Sequence, residues 1–281
     1  MLGQPIKHSI SPAMHNAALA ALAADRPRFA DWRYFRFEIQ PEDLPRALAR
    51  FREKKFHGLN LTVPHKIIAF DRIAAIDPAA RPIGAVNTLV LTPSGWRGHN
   101  TDGYGLAAAI RENLGLDLAG AHVILVGAGG AARGAAVECL QRRCASLWIA
   151  NRTLANLTAM LSDLVPLAGG IPLRGFTPDT PPVDLPKGTL VINATSAGLR
   201  PTDGLPVDLT TLPNVTAVFD MIYNPPHTPL LARATKLGLP SANGLAMLVH
   251  QGAKALEIWT DVPATTTAPI MATAARTALM R

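Results

Sequence analysis

Residues 122–137, His-Val-Ile-Leu-Val-Gly-Ala-Gly-Gly-Ala-Ala-Arg-Gly-Ala-Ala-Val, constrain the fold more than any other stretch of the chain. An apolar run enters a turn built from Gly127, Gly129 and Gly130, and an Ala-rich stretch of helical character leaves it. Glycines let the backbone turn tightly and approach a pyrophosphate, whose charge then sits at a helix N-terminus. The spacing is a variant of the dinucleotide fingerprint, with Ala132 in its last position. Glycines also make ordinary strand-to-helix turns. Here the two context requirements, an apolar strand before and a helix after, are both met.

Three more short runs rich in Val, Ile and Leu follow: 146–151, 189–195 and 217–223. Runs of this kind, separated by helix-length segments, are the pattern of buried parallel strands in an α/β sheet. The second run ends at Asn151-Arg152-Thr153, about twenty residues beyond the glycines. A carboxylate there would accept from an adenosine ribose hydroxyl and favour NAD. No acid stands at that point, and the Arg152 guanidinium can face a 2′-phosphate instead, which points to NADP. A plain helix start capped by Thr153 is compatible with the same residues.

Length and composition bound the rest. A chain of 281 residues with 48% hydrophobic and 17% charged residues is long enough for two modest domains. The Ala-rich run 17–24 is far shorter than the ~20 apolar residues of a membrane span. The start, Met-Leu-Gly-Gln-Pro-Ile-Lys, lacks the apolar core of a signal peptide, so a cytoplasmic protein is expected. Cys139 and Cys144 lie in a helix-like segment and read as thiols of a reducing compartment. The net charge of +7 invites a nucleic-acid reading, but the arginines are scattered, and the one loose cluster, 46–55, alternates with apolar residues as an amphipathic helix does. A general positive field also favours a small anion or a phosphorylated cofactor. No histidine falls in a metal-ligand spacing, and no metal is expected.

The first third alternates in type. Ser11 and Pro12 read as the N-cap and first turn of a helix, 31–39 as a strand, 41–55 as a helix and 58–63 as the next strand. Residues 85–102 read as a hairpin around Pro93-Ser94-Gly95, leading to a helix that starts near Gly103. The Pro-rich 177–188 reads as a loop, 243–259 as a helix, and a last helix follows the break at 263–269. Polar residues cluster where these elements end: His8–Pro12, Asn60 to Lys66, Asn87, Asn100 to Asp102, and Gln251. Singly, each has an ordinary reading as a cap, a turn residue or a solvated helix face.

Together they form a series. His-Ser-Ile-Ser-Pro (8–12), Gly-Leu-Asn-Leu-Thr-Val-Pro-His-Lys (58–66), Ala-Val-Asn-Thr (85–88), Gly-His-Asn-Thr-Asp-Gly (98–103), the glycine loop, Asn-Arg-Thr (151–153), Ile-Asn-Ala-Thr-Ser-Ala-Gly (192–198), Asp-Met-Ile-Tyr-Asn-Pro (220–225) and Asn-Gly-Leu-Ala-Met-Leu-Val-His-Gln (243–251) occur in order. In these motifs the chain closely resembles the shikimate/quinate dehydrogenase family, from Gly3 to about Trp259. The resemblance implies an α/β protein of two domains: a split N-terminal substrate domain, 1–101 plus 242–281, and a Rossmann-like NAD(P)-binding domain, 102–241, with substrate bound between them.

It further implies that Lys66 and Asp102 are the catalytic pair. Hydride moves between the nicotinamide and the carbon bearing the substrate oxygen, so a proton must move on or off that oxygen within hydrogen-bond reach. Which member holds the proton is a property of the coupled pair. By the same resemblance Ser9 and Ser11 take the substrate carboxylate, Asn60, Asn87, Asp102 and Gln251 read its ring hydroxyls, and Thr62 and Tyr223 line the pocket. Gly127, Ala128, Gly129, Gly130 and Ala131 hold the pyrophosphate, with Asn151, Arg152 and Thr153 at the adenosine end. Thr195, Ser196, Ile222, Gly244 and Met247 flank the rest of the cofactor.

The chain departs from the pattern at Asn156, where members favouring NADP often carry a second basic residue, so NAD use is the alternative. Only Met1 and Leu2 precede Gly3, which implies a truncated or very short first strand. Ser9 and Ser11 fit shikimate-type better than quinate-type members. The expected activity is NADPH-dependent reduction of 3-dehydroshikimate to shikimate, with a quinate/shikimate or aminoshikimate enzyme as the rival. A non-catalytic dinucleotide sensor or nucleic-acid binder is the rival from another class, and Lys66 and Asp102 argue against it. The expected partners are small molecules, not nucleic acid or membrane, for a monomer or homodimer.

Overall fold

The computed structural model describes every residue except Pro201 and Arg281. In chain order the first elements are β1 (Leu2–Gly3), α1 (Ser11–Asp25), β2 (Phe37–Glu38), α2 (Leu44–Glu53), β3 (Gly58–Asn60), α3 (His65–Arg72), β4 (Ala75–Ile76), β5 (Thr88–Thr92), β6 (Gly95–His99) and α4 (Asp102–Leu114). There follow β7 (His122–Val126), α5 (Gly130–Gln141), β8 (Ser146–Ala150), α6 (Leu154–Leu164), β9 (Leu173–Phe176), β10 (Thr189–Asn193), β11 (Val215–Asp220), α7 (Pro229–Lys236), β12 (Ser241–Ala242), α8 (Leu245–Thr260) and α9 (Ala264–Leu279). The chain divides into two compact units, Met1–Gly105 with Leu248–Arg281, and Leu106–Met247.

The second unit holds a six-stranded parallel sheet in the order β12-β11-β10-β7-β8-β9. This is the doubly wound arrangement, in which the order reverses between β7 and β10 and ligands bind beyond the carboxyl ends of the strands. All five residues of β8 and of β10 are buried, as expected when helices cover both faces. β9 was not legible in advance. Its Leu-Arg-Gly-Phe sequence breaks the apolar run with a charge and a glycine, which the sheet tolerates because β9 pairs on one side only. Gly175 there makes room for Leu161 and Leu157 of α6, the nearer lying 2.6 Å from where a Cβ would stand.

In the first unit, β3, β5, β6 and β4 form a sheet whose first three strands are antiparallel. Leu59 pairs with Leu89, and both face a core shared with Leu2, Leu44 and Leu61. Because side chains alternate along a strand, Asn60 and Thr88 turn to the opposite face. The antiparallel pairing also brings the end of β3, the start of β5 and the end of β6 to the same edge.

Several expectations for this unit need correction. The strand expected over 31–39 is only Phe37–Glu38, paired with β1. Upstream, the backbone is held by side chains instead of a ladder: Tyr34 N–H donates to Asn16 Oδ1 (2.8 Å), and Asn16 Nδ2 donates to the Tyr34 carbonyl (2.9 Å). The first strand is indeed very short, and Leu2 bridges Leu61 as well as pairing with Phe37. Ser11 is the first helical residue of α1, not its cap, because Ile10 already has helical backbone angles. α9 starts at Ala264 and runs through Pro269 rather than following it. The proline forfeits one intrahelical hydrogen bond near the helix start, and Met271 and Ala275 beyond it are buried.

α1 packs along α9 and meets α8 at Gly252, which leaves the needed space: a Cβ there would stand 3.2 Å from His15 and 3.3 Å from Met14. His15 is buried, stacks on Tyr34 with ring centroids 4.0 Å apart, and donates from Nδ1 to the Ser11 carbonyl at 2.9 Å. Its Nε2 reaches toward the Gly252 backbone without completing a hydrogen bond. Burial pulls the His15 pKa down to about 4 from an ordinary 6.5. The unfolded chain therefore binds the extra proton between those values. The contribution of His15 is fully present above pH 6.5 and is lost as pH falls toward 4, by up to about 3 kcal/mol. Urea denaturation across that range should show a flatter acid limb for His15→Phe than for the wild type; identical limbs would refute this origin.

Candidate active site

Lys66 lies in the first turn of α3 and Asp102 is the first residue of α4, where a carboxylate is favoured by the helix dipole. Lys66 Nζ donates to Asp102 Oδ2 at 2.7 Å, and each side chain keeps about a quarter of its surface exposed. Such a charge-assisted pair is short and directional. The backbone holds both partners: Val86 N–H donates to the Lys66 carbonyl at 3.0 Å, and Asp102 N–H donates to Asn100 Oδ1 at 3.0 Å.

Asn87 joins the pair to the sheet. Its Nδ2 donates to Asp102 Oδ1 (2.8 Å) and Thr101 Oγ1 (3.0 Å), with Gln251 Oε1 at 3.5 Å. Its Oδ1 accepts from Thr101 N–H and from the Thr88 hydroxyl, both at 2.9 Å. Asn60 extends the network, donating to Thr88 Oγ1 (3.0 Å) and to the Asn87 carbonyl (3.2 Å). Asn60 Oδ1 in turn accepts from the Tyr34 hydroxyl at 2.7 Å. Burial pushes the Tyr34 phenol upward, so it remains the donor.

The structure thus brings together Lys66, Asp102, Asn87, Asn60 and Gln251, all within the first unit. Ser9 and Ser11 belong to the same unit but form a cluster of their own. Ser9 Oγ accepts from Ser11 N–H at 3.3 Å and lies 3.2 Å from Met1 Sδ. Thr62 follows β3, its N–H donating to the Leu2 carbonyl and its carbonyl accepting from His65 N–H. Tyr34, Thr88 and Thr101 were missed. Thr88 and Thr101 stand inside quoted motifs, next to Asn87 and Asp102, whereas Tyr34 sits in a stretch that alternates like a strand and gives no signal of its own.

In the second unit, the residues after successive strands gather at the carboxyl edge of the sheet. Gly127 follows β7 with φ +116°, a region where glycine is favoured, and a Cβ there would stand 3.0 Å from Thr195, after β10. Thr195 is held by its hydroxyl and N–H, both donating to Asn193 Oδ1 at 2.8 and 3.0 Å. Ala128 is half-buried, while Gly129, Gly130 and Ala131 are exposed. A Cβ at Gly129 or Gly130 would meet nothing within 4 Å, so the start of α5 has open space before its unpaired N–H groups. That cradle fits a pyrophosphate.

Asn151 Nδ2 donates to the Thr153 carbonyl (2.9 Å), and Arg152 beside it is exposed. Thr153 is the N-cap of α6 by position, but its side chain makes no capping bond. Ser196 is exposed, Ile222 and Gly244 are buried, and Met247 is half-buried. Gly244 N–H donates to the Ile222 carbonyl at 3.0 Å, and a Cβ there would fall 2.1 Å from the Met221 carbonyl oxygen, which no side chain tolerates. Tyr223 follows Ile222 on this edge, its phenol pushed up by burial.

Among the described residues no group of acidic, histidine or cysteine side chains is arranged to hold a metal ion, and no helix is long and apolar enough to cross a membrane.

Residues 1–89 match the shikimate dehydrogenase substrate binding domain, and residues 244–271 match the shikimate 5′-dehydrogenase C-terminal domain. The NADP(+) shikimate dehydrogenase of Geobacter metallireducens is 38% identical over 264 residues, covering 93% of this chain and 90% of that protein. The chain belongs to the shikimate dehydrogenase family. Among solved structures of similar fold, shikimate 5-dehydrogenase from Thermus thermophilus, in complex with NADP(H) and shikimate, has a TM-score of 0.82 at 33% identity, covering 99% of this chain and 97% of that one. The ligand-free 5-ketofructose reductase of a Gluconobacter strain is as similar, with a TM-score of 0.82 at 32% identity over 96% and 95% of the two chains.

The Tyr34–Asn60 bond is a buried link of the network that ends at Asn87. Tyr34→Phe should leave Asn60 Oδ1 without its donor and lower unfolding free energy by about 1–3 kcal/mol in urea titration. Unchanged stability would mean that water replaces the phenol there.

Proposed function

We propose that this chain catalyses the reversible NADPH-dependent reduction of 3-dehydroshikimate to shikimate, a step toward aromatic amino acids. The observation that carries the reading is the 2.7 Å contact between Lys66 and Asp102, with Asn87 fixing the second carboxylate oxygen at 2.8 Å. NADP, when bound, supplies the hydride acceptor or donor. On reduction the substrate carbonyl oxygen gains a proton as its carbon gains hydride, and on oxidation both leave. Lys66 and Asp102 share that proton, at Nζ and Oδ2, and because their side chains are partly exposed it can be renewed from solvent. Asn87 cannot ionise; by occupying Asp102 Oδ1 it keeps Oδ2 turned to the lysine. We assign carboxylate recognition to the hydroxyls of Ser9 and Ser11, and ring-hydroxyl recognition to Asn60, Asn87, Asp102 and Gln251, with Thr62 and Tyr223 as pocket walls.

For the cofactor we assign the pyrophosphate to Gly127–Ala131 and the adenosine end to Asn151, Arg152 and Thr153. Thr195, Ser196, Ile222, Gly244 and Met247 are assigned to the remainder. We also take 1–101 with 242–281 as the substrate domain and 102–241 as the cofactor domain, acting as a monomer or homodimer in the cytoplasm. The similarity to both shikimate dehydrogenases and a 5-ketofructose reductase supports a site for a polyhydroxylated ring or chain, and Ser9 with Ser11 favours the acid. Asn156, exposed and uncharged on α6 four residues beyond Arg152, favours a second reading in which NAD is also used.

Nicotinamide absorbance assays with shikimate or quinate, each with NADP or NAD, test the whole reading; it fails if shikimate with NADP is not the preferred pair. In the same assay Lys66→Ala should lower kcat by about 10²–10⁴-fold with a much smaller change in KM for shikimate. Near-normal kcat would remove Lys66 from the chemistry. Arg152→Ala should raise KM for NADP by about tenfold and leave KM for NAD nearly unchanged. Equal losses with both cofactors would refute the 2′-phosphate contact.

A further inference from the structure

A cavity of about 570 Å³ lies in the first unit, and neither Lys66 nor Asp102 lines it. That size is ordinary for a small-molecule pocket. Its wall is aromatic: Trp32 and His57 stack in parallel with centroids 4.2 Å apart and planes within 9°, and Tyr34 and Trp259 border the same space. Its rim is cationic, with Arg33, Lys54 and Lys55 exposed around it. Among the described residues no carboxylate lies within ion-pair distance of any of these three, although Asp31 also borders the cavity. Arg33 spends one Nη on the carbonyls of Ala30 and Trp32, at 2.8 Å each, which fixes the guanidinium over the turn carrying the Trp32 ring.

We propose that this cavity is a binding site for a small planar aromatic carboxylate, its ring on the face of His57 turned away from Trp32 and its charge on Lys54, Lys55 and Arg33. A flat ring gains from stacking on an aromatic wall, and a carboxylate gains a charge-assisted contact from cations that no protein acid neutralises. A phosphate dianion fits less well. Lys54 and Lys55 follow the C-terminal end of α2, where the helix dipole is negative, and the rim offers no helix N-terminus or glycine loop. The site adjoins the proposed active centre through one residue: Tyr34 borders the cavity and its hydroxyl donates to Asn60.

Titration calorimetry on the full chain tests this, with 2-naphthoate as the probe and saturating shikimate present to block the carboxylate-binding serines. The expected result is one molecule bound per chain, with cyclohexanecarboxylate, equally charged but not planar, about tenfold weaker or worse. The variant K54Q/K55N should weaken 2-naphthoate by about fivefold or more. Asparagine is chosen at position 55 because Lys55 has φ +54°, a conformation asparagine tolerates. Since both lysines are exposed, this variant retains its fold, and its circular dichroism and turnover should match the wild type. Displacement of 2-naphthoate by shikimate, equal affinity in the variant, tighter binding of AMP than of 2-naphthoate, or no binding up to millimolar concentration would each overturn the proposal.

Discussion

A buried primary amide cannot leave its groups unpaired, and the Asn87 side chain is almost fully removed from solvent. Its carbonyl oxygen and its NH₂ are both claimed, and its backbone is claimed too: Asn87 N–H donates to the His99 carbonyl and its carbonyl accepts from Leu61 N–H. Three strands and the start of α4 therefore have to arrive together for this one residue to be satisfied. What reaches toward the surface from that arrangement is the pair Lys66–Asp102, with half-buried Gln251 beside it. The pair is positioned by a network that excludes water, while its own atoms keep contact with solvent. The proton exchange proposed for this pair needs both conditions.

The second unit answers a different demand of the proposed function, the close approach of a charged cofactor to backbone. Side chains are absent where they would intrude, at Gly129 and Gly130, and a glycine also stands where the protein itself is crowded, at Gly244 against Met221. Asp220 shows the cost of building the edge of this sheet from polar groups. It is wholly buried at the end of β11, and desolvation raises its pKa even though Thr228, Asn193 and the Ile222 N–H all donate to it. Those donors hold the turns after β10 and β11 in register with one another.

How much of this could be read from the sequence depended on the range of the interaction. β7, β8 and β10 announce themselves because strands covered on both faces carry an apolar run through their middle, and the 85–102 hairpin because Pro93-Ser94-Gly95 forces a turn. The expected strand 31–39 failed where a side chain from elsewhere took over backbone duties, as Asn16 does for Tyr34, and the expected cap at Ser11 failed because Ile10 already has helical backbone angles. β9 was illegible because an edge strand need not be apolar. The contact of Lys66 with Asp102 spans 36 residues of chain, and no spacing rule reaches that far; the motifs pointed to it only through family resemblance. Tyr34, which no motif marks, emerged from the coordinates alone.

The division of the chain at Gly105 and again at Met247 has an evolutionary reading. The residues around Lys66 and those around the glycine loop sit in separate compact units, so on the proposed assignments a substitution at Asn156 would retune coenzyme choice without touching the amide network at Asn87. On the same assignments Ser9 and Ser11, in the other unit, would set which acid is admitted without altering how a dinucleotide is held. On that proposal, substrate choice and coenzyme choice could each change through substitutions confined to one unit.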